Sequence, residues 1–227
     1  MSDNFSALLK ATLHNQSSPV FFWREQGNLV AISASNVWTL VLHRRHELRS
    51  MGLKSGDIWH SSAFDFSLII DLVACAIGGN PLFVGNHNQN VLSTVKDSQS
   101  CLIFEGKDSN IPMILHSHQV VSQIQTTINI LKLTSNEVRL CCLRPHNCAV
   151  LINDILCGIF AAQTIYIDFE EKSFQNPNIL DKVIQQEEIT TLAINSHICT
   201  QLGLTPTEIK DKFKLKRVYS VETLENY

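Results

Sequence analysis

Short apolar runs alternate with longer amphipathic segments along most of this chain. The runs predict strands at 20–23, 29–32, 82–84, 101–104, 113–116, 138–143, 164–168, 191–194 and 215–219, and another beginning at Ile58. Apolar residues at helical spacing predict helices at 35–51, 65–77, 120–131, 149–162, 177–187, 197–202 and 207–213. Strands separated by helices of this length need right-handed parallel crossovers. The pattern therefore predicts an α/β fold with parallel sheets flanked by helices.

The helix predicted at 35–51 has an apolar stripe and a basic side. Ser35 is placed to cap its start and Gly52 to end it. Arg44, Arg45 and Arg49 form a small basic cluster that we expect to be a solvated helix face, with an anion or partner site as the alternative.

Composition excludes several classes of protein. The 227 residues are 44% hydrophobic and 17% charged, and their net charge of −3 gives no basic field for nucleic acid. No apolar run approaches the ~20 residues of a membrane span. The polar N-terminus lacks the layout of a secretion signal, so a cytoplasmic protein is predicted.

The cysteines fit a reducing compartment. There are seven, an odd number, without a Cys-x-x-Cys pair, and most lie inside apolar runs. The adjacent Cys141 and Cys142 would point to opposite faces of a strand. We therefore expect free thiols that pack as small hydrophobic groups.

Four segments carry a family resemblance. They are Met51-Gly-Leu-Lys-Ser-Gly-Asp-Ile58, Ala74–Leu82, Ile159–Ile167 and Glu188–Asn195. Their order over residues 18–220 resembles the first part of the adenylate-forming superfamily, which includes acyl-CoA synthetases, peptide-synthetase adenylation domains and luciferases. The resemblance implies a truncated N-terminal domain over residues 1–227, with possible lobes at 18–140 and 141–220. It also implies descent from enzymes that activate a carboxylate with ATP.

The family's phosphate-binding loop is degenerate in this sequence. That loop is rich in Ser, Thr and Gly and ends in Pro-Lys-Gly, because backbone N–H groups and a lysine hold the phosphates. The matching stretch here contains Glu105, Gly106, Lys107, Asp108, Ser109 and Pro112, and Met113 follows the proline. Two carboxylates would lie where a triphosphate binds, so we expect no nucleotide cradle and no cofactor.

A second departure concerns the family's Pro-x-x-His turn beside the carboxylate substrate. Here it reads Pro145-His146-Asn147-Cys148, so a cysteine replaces the histidine. If a small molecule binds, the resemblance places its acyl group near Pro145, His146, Cys148 and Ile152. The chain ends at Tyr227, and the family's adenine-contacting segment, ribose-binding aspartate and catalytic lysine would follow later.

Two other groups of residues are candidates, one for a metal site and one for a catalytic nucleophile. His116 and His118 would face the same way on a strand, and a zinc site would need a third ligand such as His146, Asp154 or Cys148. A Cys148–His146 nucleophile pair would need an orienting group that the sequence does not show. We therefore predict no metal and no catalytic residue.

Two functions remain open. The first is a non-catalytic relic kept as a binding or scaffolding subunit, which associates with itself or with another chain, such as a ligase or an acyl-carrier pathway enzyme. The second is one part of a split carboxylate-activating ligase completed by another polypeptide. The degenerate phosphate loop favours the first, because a split enzyme would keep that loop.

Overall fold

The protein is an α/β structure with two mostly parallel sheets, as the pattern predicts. The computed structural model describes residues 5–14, 20–25, 28–63, 65–85, 100–105, 112–145, 147–168 and 176–221. The six-stranded sheet has the order β10-β9-β7-β8-β1-β2, and the four-stranded sheet has the order β3-β4-β5-β6. The strands are β1 Val20–Glu25, β2 Asn28–Ser33, β3 Trp59–Ser61, β4 Leu82–Val84, β5 Ser100–Phe104, β6 Met113–His116, β7 Val138–Cys141, β8 Thr164–Ile167, β9 Thr191–Ile194 and β10 Arg217–Ser220.

Most of the predicted helices form, with small shifts at their ends. The helices are α1 Phe5–Leu13, α2 Ala34–Ser50, α3 Phe66–Gly78, α4 Ser117–Leu131, α5 Cys148–Val150, α6 Cys157–Phe160, α7 Pro177–Gln186, α8 Ser196–Leu202 and α9 Pro206–Lys212. No described helix is long and apolar enough to cross a membrane. The predicted boundary between lobes 18–140 and 141–220 stays a prediction.

Antiparallel pairs lie at one edge of each sheet. β1 and β2, which match the strands predicted at 20–23 and 29–32, pair antiparallel with Phe21 opposite Ile32, and β2 is the edge strand. β5 and β6 are also antiparallel, with Ile103 opposite Ile114. The other strand pairs run parallel. Described helices lie in the sequence between β3 and β4, β7 and β8, β8 and β9, and β9 and β10, as parallel connections require.

The predicted helix at 149–162 is wrong as a single α-helix. The structure divides it into α5, a π-helix at Leu151–Leu156, and α6. A π-helix inserts an extra residue per turn and re-aims the side chains that follow. Here it places Asp154 in the interior, where its side chain is fully buried.

Two details of α2 differ from the sequence prediction. Its N-cap is Ser33, whose side chain accepts from the Asn36 amide at 3.4 Å, so Ser35 is already inside the helix. Arg44 is not simply solvated, because its Nε donates to Asp71 at 2.6 Å and its guanidinium lies 5.3 Å from the Trp59 ring. Asp71 also accepts from Ser61 at 2.7 Å. These contacts tie α2, α3 and β3 together.

The main core lies between the two sheets and contains a helix that the sequence prediction missed. α1 buries Phe5, Leu9 and Leu13, and contacts α2, α3, α4 and α6. Phe5 stacks on Phe160 of α6 with ring centroids 6.2 Å apart. A second core, which includes Leu140, Leu192 and Ile184, lies on the other face of the six-stranded sheet.

Candidate functional site

The degenerate phosphate-loop position begins where β5 ends. Glu105 directly follows β5, and Pro112 precedes β6, whereas Gly106, Lys107, Asp108 and Ser109 lie outside the described residues. Glu105 packs against Gly85 at the end of β4: a Cβ on Gly85 would lie 3.1 Å from the Glu105 Cβ and 3.4 Å from its Oε2. The carboxylate of Glu105 thus lies close to Gly85, at the carboxyl ends of β4 and β5.

The turn after β7 is also described in part. Pro145 is buried, and His146 lies outside the described residues. The Asn147 side chain accepts from the Ala149 amide at 2.8 Å and so caps α5. Cys148 is half-buried, and burial raises the pKa of its thiol to about 11. The thiol is therefore neutral near pH 7 and can offer neither a thiolate nor a charge.

Ile152 lies deeper than an open pocket would place it. It is 4% exposed and belongs to the core between the sheets, with Cys148 packed against the same cluster. The acyl pocket at Pro145, His146, Cys148 and Ile152 stays a prediction. In this structure Ile152 is part of the hydrophobic core and does not line an open pocket.

The histidine pair has no third ligand among the residues that the structure describes. The rings of His116 and His118 stack with centroids 5.8 Å apart. No group of three His, Cys, Asp or Glu side chains in the described ranges is placed to hold a metal ion. Asp154, one of the suggested ligands, forms an ion pair with Arg139 at 2.9 Å instead.

A buried ionic network, which the sequence prediction missed, joins β7, the π-helix and β10. Arg139 of β7 is fully buried, donates from Nε to Gln163 at 2.7 Å, and donates from Nη1 to Asp154 of the π-helix and to the Tyr219 hydroxyl of β10. Tyr219 in turn donates to Asp154 at 3.0 Å. The signal in the sequence was a charged residue inside an apolar run, Val138 to Leu143.

A second cluster continues this network at the start of β7. The Glu137 side chain is 1% exposed and lies 2.7 Å from the Lys216 ammonium and 3.1 Å from Arg217. Burial alone would raise the pKa of Glu137, but hydrogen bonds from Lys216, Arg217 and Thr191 outweigh it and lower the pKa to about 2. Gln163 donates to Glu137 at 3.1 Å and so joins the two clusters.

Comparison with solved structures identifies the class of fold. An adenylation domain of a keto acid-selecting NRPS module, bound to keto acyl adenylate, matches with a TM-score of 0.75 and 10% identity over 92% of this chain and 49% of that chain. A fatty acyl-adenylate ligase from L. pneumophila, in complex with acyl adenylate and pyrophosphate, matches with a TM-score of 0.74 and 13% identity over 97% of this chain and 50% of that chain.

A third structure agrees with these two. ATP-bound MatB from Rhodopseudomonas palustris matches with a TM-score of 0.76 and 13% identity over 97% of this chain and 55% of that chain. No family model matches the sequence, and no curated protein is significantly similar to it. The protein thus has the fold of the adenylate-forming superfamily, and it spans about half the length of these solved structures.

Proposed function

We propose that this chain is a binding or scaffolding subunit that uses the adenylate-forming fold without its chemistry. The observation that carries the proposal is the pair of groups at the two chemical positions: a carboxylate, Glu105, at the phosphate-loop position, and a half-buried neutral thiol, Cys148, at the position of the family's histidine. Neither group stabilises the negative charge that ATP brings and that develops during acyl transfer to AMP.

The charge of Glu105 disfavours nucleotide binding at the phosphate-loop position. At about 4 Å, two like charges repel by about 1 kcal/mol in bulk water and by more near a protein surface. Glu105 therefore opposes a triphosphate at this edge of the sheet. A phosphate-binding site normally stabilises negative charge with a positioned hydrogen-bond donor or cation. Loss of one such donor costs about 2.7–4 kcal/mol of transition-state stabilisation.

The proposed partner is a protein chain, either a second copy or a different protein such as a ligase or an acyl-carrier pathway enzyme, met in the cytoplasm. Among the described residues β10 pairs with β9 and stands at the end of the strand order of the six-stranded sheet. Strands at this position are common sites of pairing with another chain. An edge of this kind supports association.

A second candidate function is a split ligase. Its support is that the chain matches about half of solved enzymes that hold ATP or acyl adenylate. In that case another polypeptide would supply the other half, and the complete assembly would bind nucleotide despite Glu105.

Calorimetric titration of the purified chain with Mg-ATP, and then with a non-hydrolysable acyl-adenylate analogue, tests the non-catalytic proposal. ATP-binding MatB serves as the positive control under the same conditions. We expect no heat of binding from the folded chain. Binding with a Kd of about 1 μM, which corresponds to about −8 kcal/mol, would refute the non-catalytic proposal and favour the split ligase.

A further inference from the structure

One face of the six-stranded sheet is covered only in part by the described residues. The helices α7, α8 and α9 bury Ile184, Ile198 and Ile209 in one cluster with Leu140 of β7 and Leu192 of β9. The cluster therefore covers the side of the sheet that holds β7, β9 and β10. Tyr166 of β8 packs against the margin of this cluster, and the neighbouring strands β1 and β2 carry apolar side chains on the same face beyond it.

These side chains form a row in register across the sheet. Leu140 lies opposite Tyr166, Tyr166 opposite Phe22, and Phe22 opposite Ala31. Their exposure increases along the row: Leu140 is 1% exposed, Tyr166 and Phe22 are half-buried, and Ala31 is exposed. The Phe22 and Tyr166 rings stack with centroids 4.6 Å apart. We call Phe22, Leu29, Ala31 and Tyr166 the aromatic shelf.

Helix α7 forms a wall along the aromatic shelf. Phe22, Leu29, Tyr166, Val183 and Glu187 line one surface pocket there. Ile179, Val183 and Glu187 recur every four residues and so lie on one side of α7. Leu29 of this pocket is 42% exposed, and Ile179, which lies one helical turn before Val183 on the same side of α7, is 44% exposed. Contiguous apolar exposure of this kind marks an interaction surface.

The groove is acidic at the end where α7 finishes. The Tyr166 hydroxyl donates to Glu187 at 2.7 Å, and burial together with this carboxylate raises the pKa of Tyr166, so the hydroxyl stays protonated. Asp168 follows β8 and lines the same pocket, and Glu188 is exposed beside it. Among the described side chains, the groove thus combines an apolar floor with negative charge at one end.

We propose that the aromatic shelf binds an amphipathic helix of a partner chain, with the helix's apolar face on Phe22, Leu29 and Tyr166 and a Lys or Arg near Glu187. A helix fits because α7 already covers the adjoining part of the same face, and faces of α/β sheets are covered by helices. The basic residue follows from charge complementarity with the carboxylates. The inference rests on the proposed function and names the partner of that binding subunit.

The test is a selection of peptides against the full chain. The library displays amphipathic helices of about 16 residues, each with one terminal position randomised among Lys, Arg, Gln and Glu. We expect enriched helices to carry Lys or Arg at that position, and a Lys peptide to bind about tenfold more tightly than its Glu twin. The preference should weaken as salt rises.

Three variants locate the binding site. Ile179→Asp should weaken the selected Lys peptide by about tenfold or more, because it places a charge on the apolar groove. Glu187→Gln should keep peptide binding but reduce the preference for Lys over Glu to about threefold or less. Ile130→Asp is the matched control: Ile130 is 73% exposed on α4, away from the groove, so affinity should not change. Circular dichroism confirms that each variant is folded.

Three outcomes would overturn the proposal. In the first, the selection yields no helix whose binding is weakened by Ile179→Asp. In the second, Ile179→Asp and Ile130→Asp change peptide affinity equally. In the third, light scattering shows that the wild type is a dimer and that Ile179→Asp converts it to a monomer. The last outcome would make a second copy the occupant. Nucleotide binding in the calorimetric titration would refute the non-catalytic function while leaving the peptide result intact, so the two failures are distinguishable.

Discussion

Arg139 is the residue on which the second half of the large sheet depends. Its guanidinium lies 5.5 Å from the Tyr219 ring and forms a fully buried ion pair with Asp154. Tyr219 is opposite Ala193 of β9, whose single methyl group leaves room for the ring. A buried charge is costly to desolvate, so its partners must all be present. The network therefore fixes β10 and the π-helix relative to β7.

Removing one member of this ion pair should strongly destabilise the fold. Asp154→Asn leaves the Arg139 charge without a counter-charge, and we expect a loss of about 3–5 kcal/mol in the free energy of unfolding, measured by urea denaturation. Tyr219→Phe removes hydrogen bonds only and should cost about 1–3 kcal/mol. The double change Arg139→Met with Asp154→Leu should recover much of the loss. Equal destabilisation by Asp154→Asn and Tyr219→Phe would contradict this account.

Glu137 should make stability depend on acid pH. Its folded pKa of about 2 lies below its unfolded value, so its contribution is complete above the unfolded pKa of about 4.3 and is lost as the pH falls towards 2. We expect the free energy of unfolding to fall between about pH 5 and pH 2, and to fall less steeply in Glu137→Gln. Asp211→Asn, at an exposed carboxylate of α9, is the control. Parallel pH curves for wild type and Glu137→Gln would refute the assignment.

At the scale of elements, periodicity predicted most of the strands and helices, and tertiary contacts decided the rest. The run of apolar residues at 66–78 can only be a buried helix, and it is one. The π-helix escaped prediction because Asp154 is drawn inward by Arg139, 15 residues away. Helix α1 carried a readable signal, because its buried residues Phe5, Leu9 and Leu13 recur at helical spacing. Arg44 was misjudged because its partner, Asp71, lies 27 positions away.

Helix α6 should tolerate no side chain at Gly158. A Cβ there would lie 3.0 Å from the Arg139 Cδ and 3.1 Å from the Ile165 Cδ1, so α6 could not approach β7 and β8 as closely. Gly158→Ala gains up to about 1 kcal/mol in helix propensity, but overpacking costs about 1–3 kcal/mol. We expect net destabilisation in urea. The control is Ser122→Ala on the exposed side of α4, which should be neutral or stabilising; a stabilised Gly158→Ala would show that the contact relaxes freely.

At the scale of the whole molecule, the sequence predicted the class of fold better than the site. The order of short segments between residues 18 and 220 was enough for the adenylate-forming fold, because turn glycines and buried helices are set by local chemistry. The site prediction rests on departures from the family's motifs at Glu105 and Cys148. The structure describes both residues, and the site itself stays a prediction. The Arg139 network and the aromatic shelf were not predicted, since both depend on strand order, and pairings such as Tyr166 with Phe22 cannot be read from one sequence.

The two sheets should unfold together because α1 lies in the core between them. Leu9 is fully buried, and α1 contacts α3, which precedes a strand of the small sheet, and α6, which precedes a strand of the large one. Leu9→Ala should therefore cost about 2–5 kcal/mol and shift the unfolding curves from far-UV circular dichroism and tryptophan fluorescence by the same amount. Leu40→Ala, at a residue that is 41% exposed, makes the same chemical change on the surface and should cost much less. Two separated transitions in Leu9→Ala would show instead that each sheet folds around its own helices and that α1 only joins them.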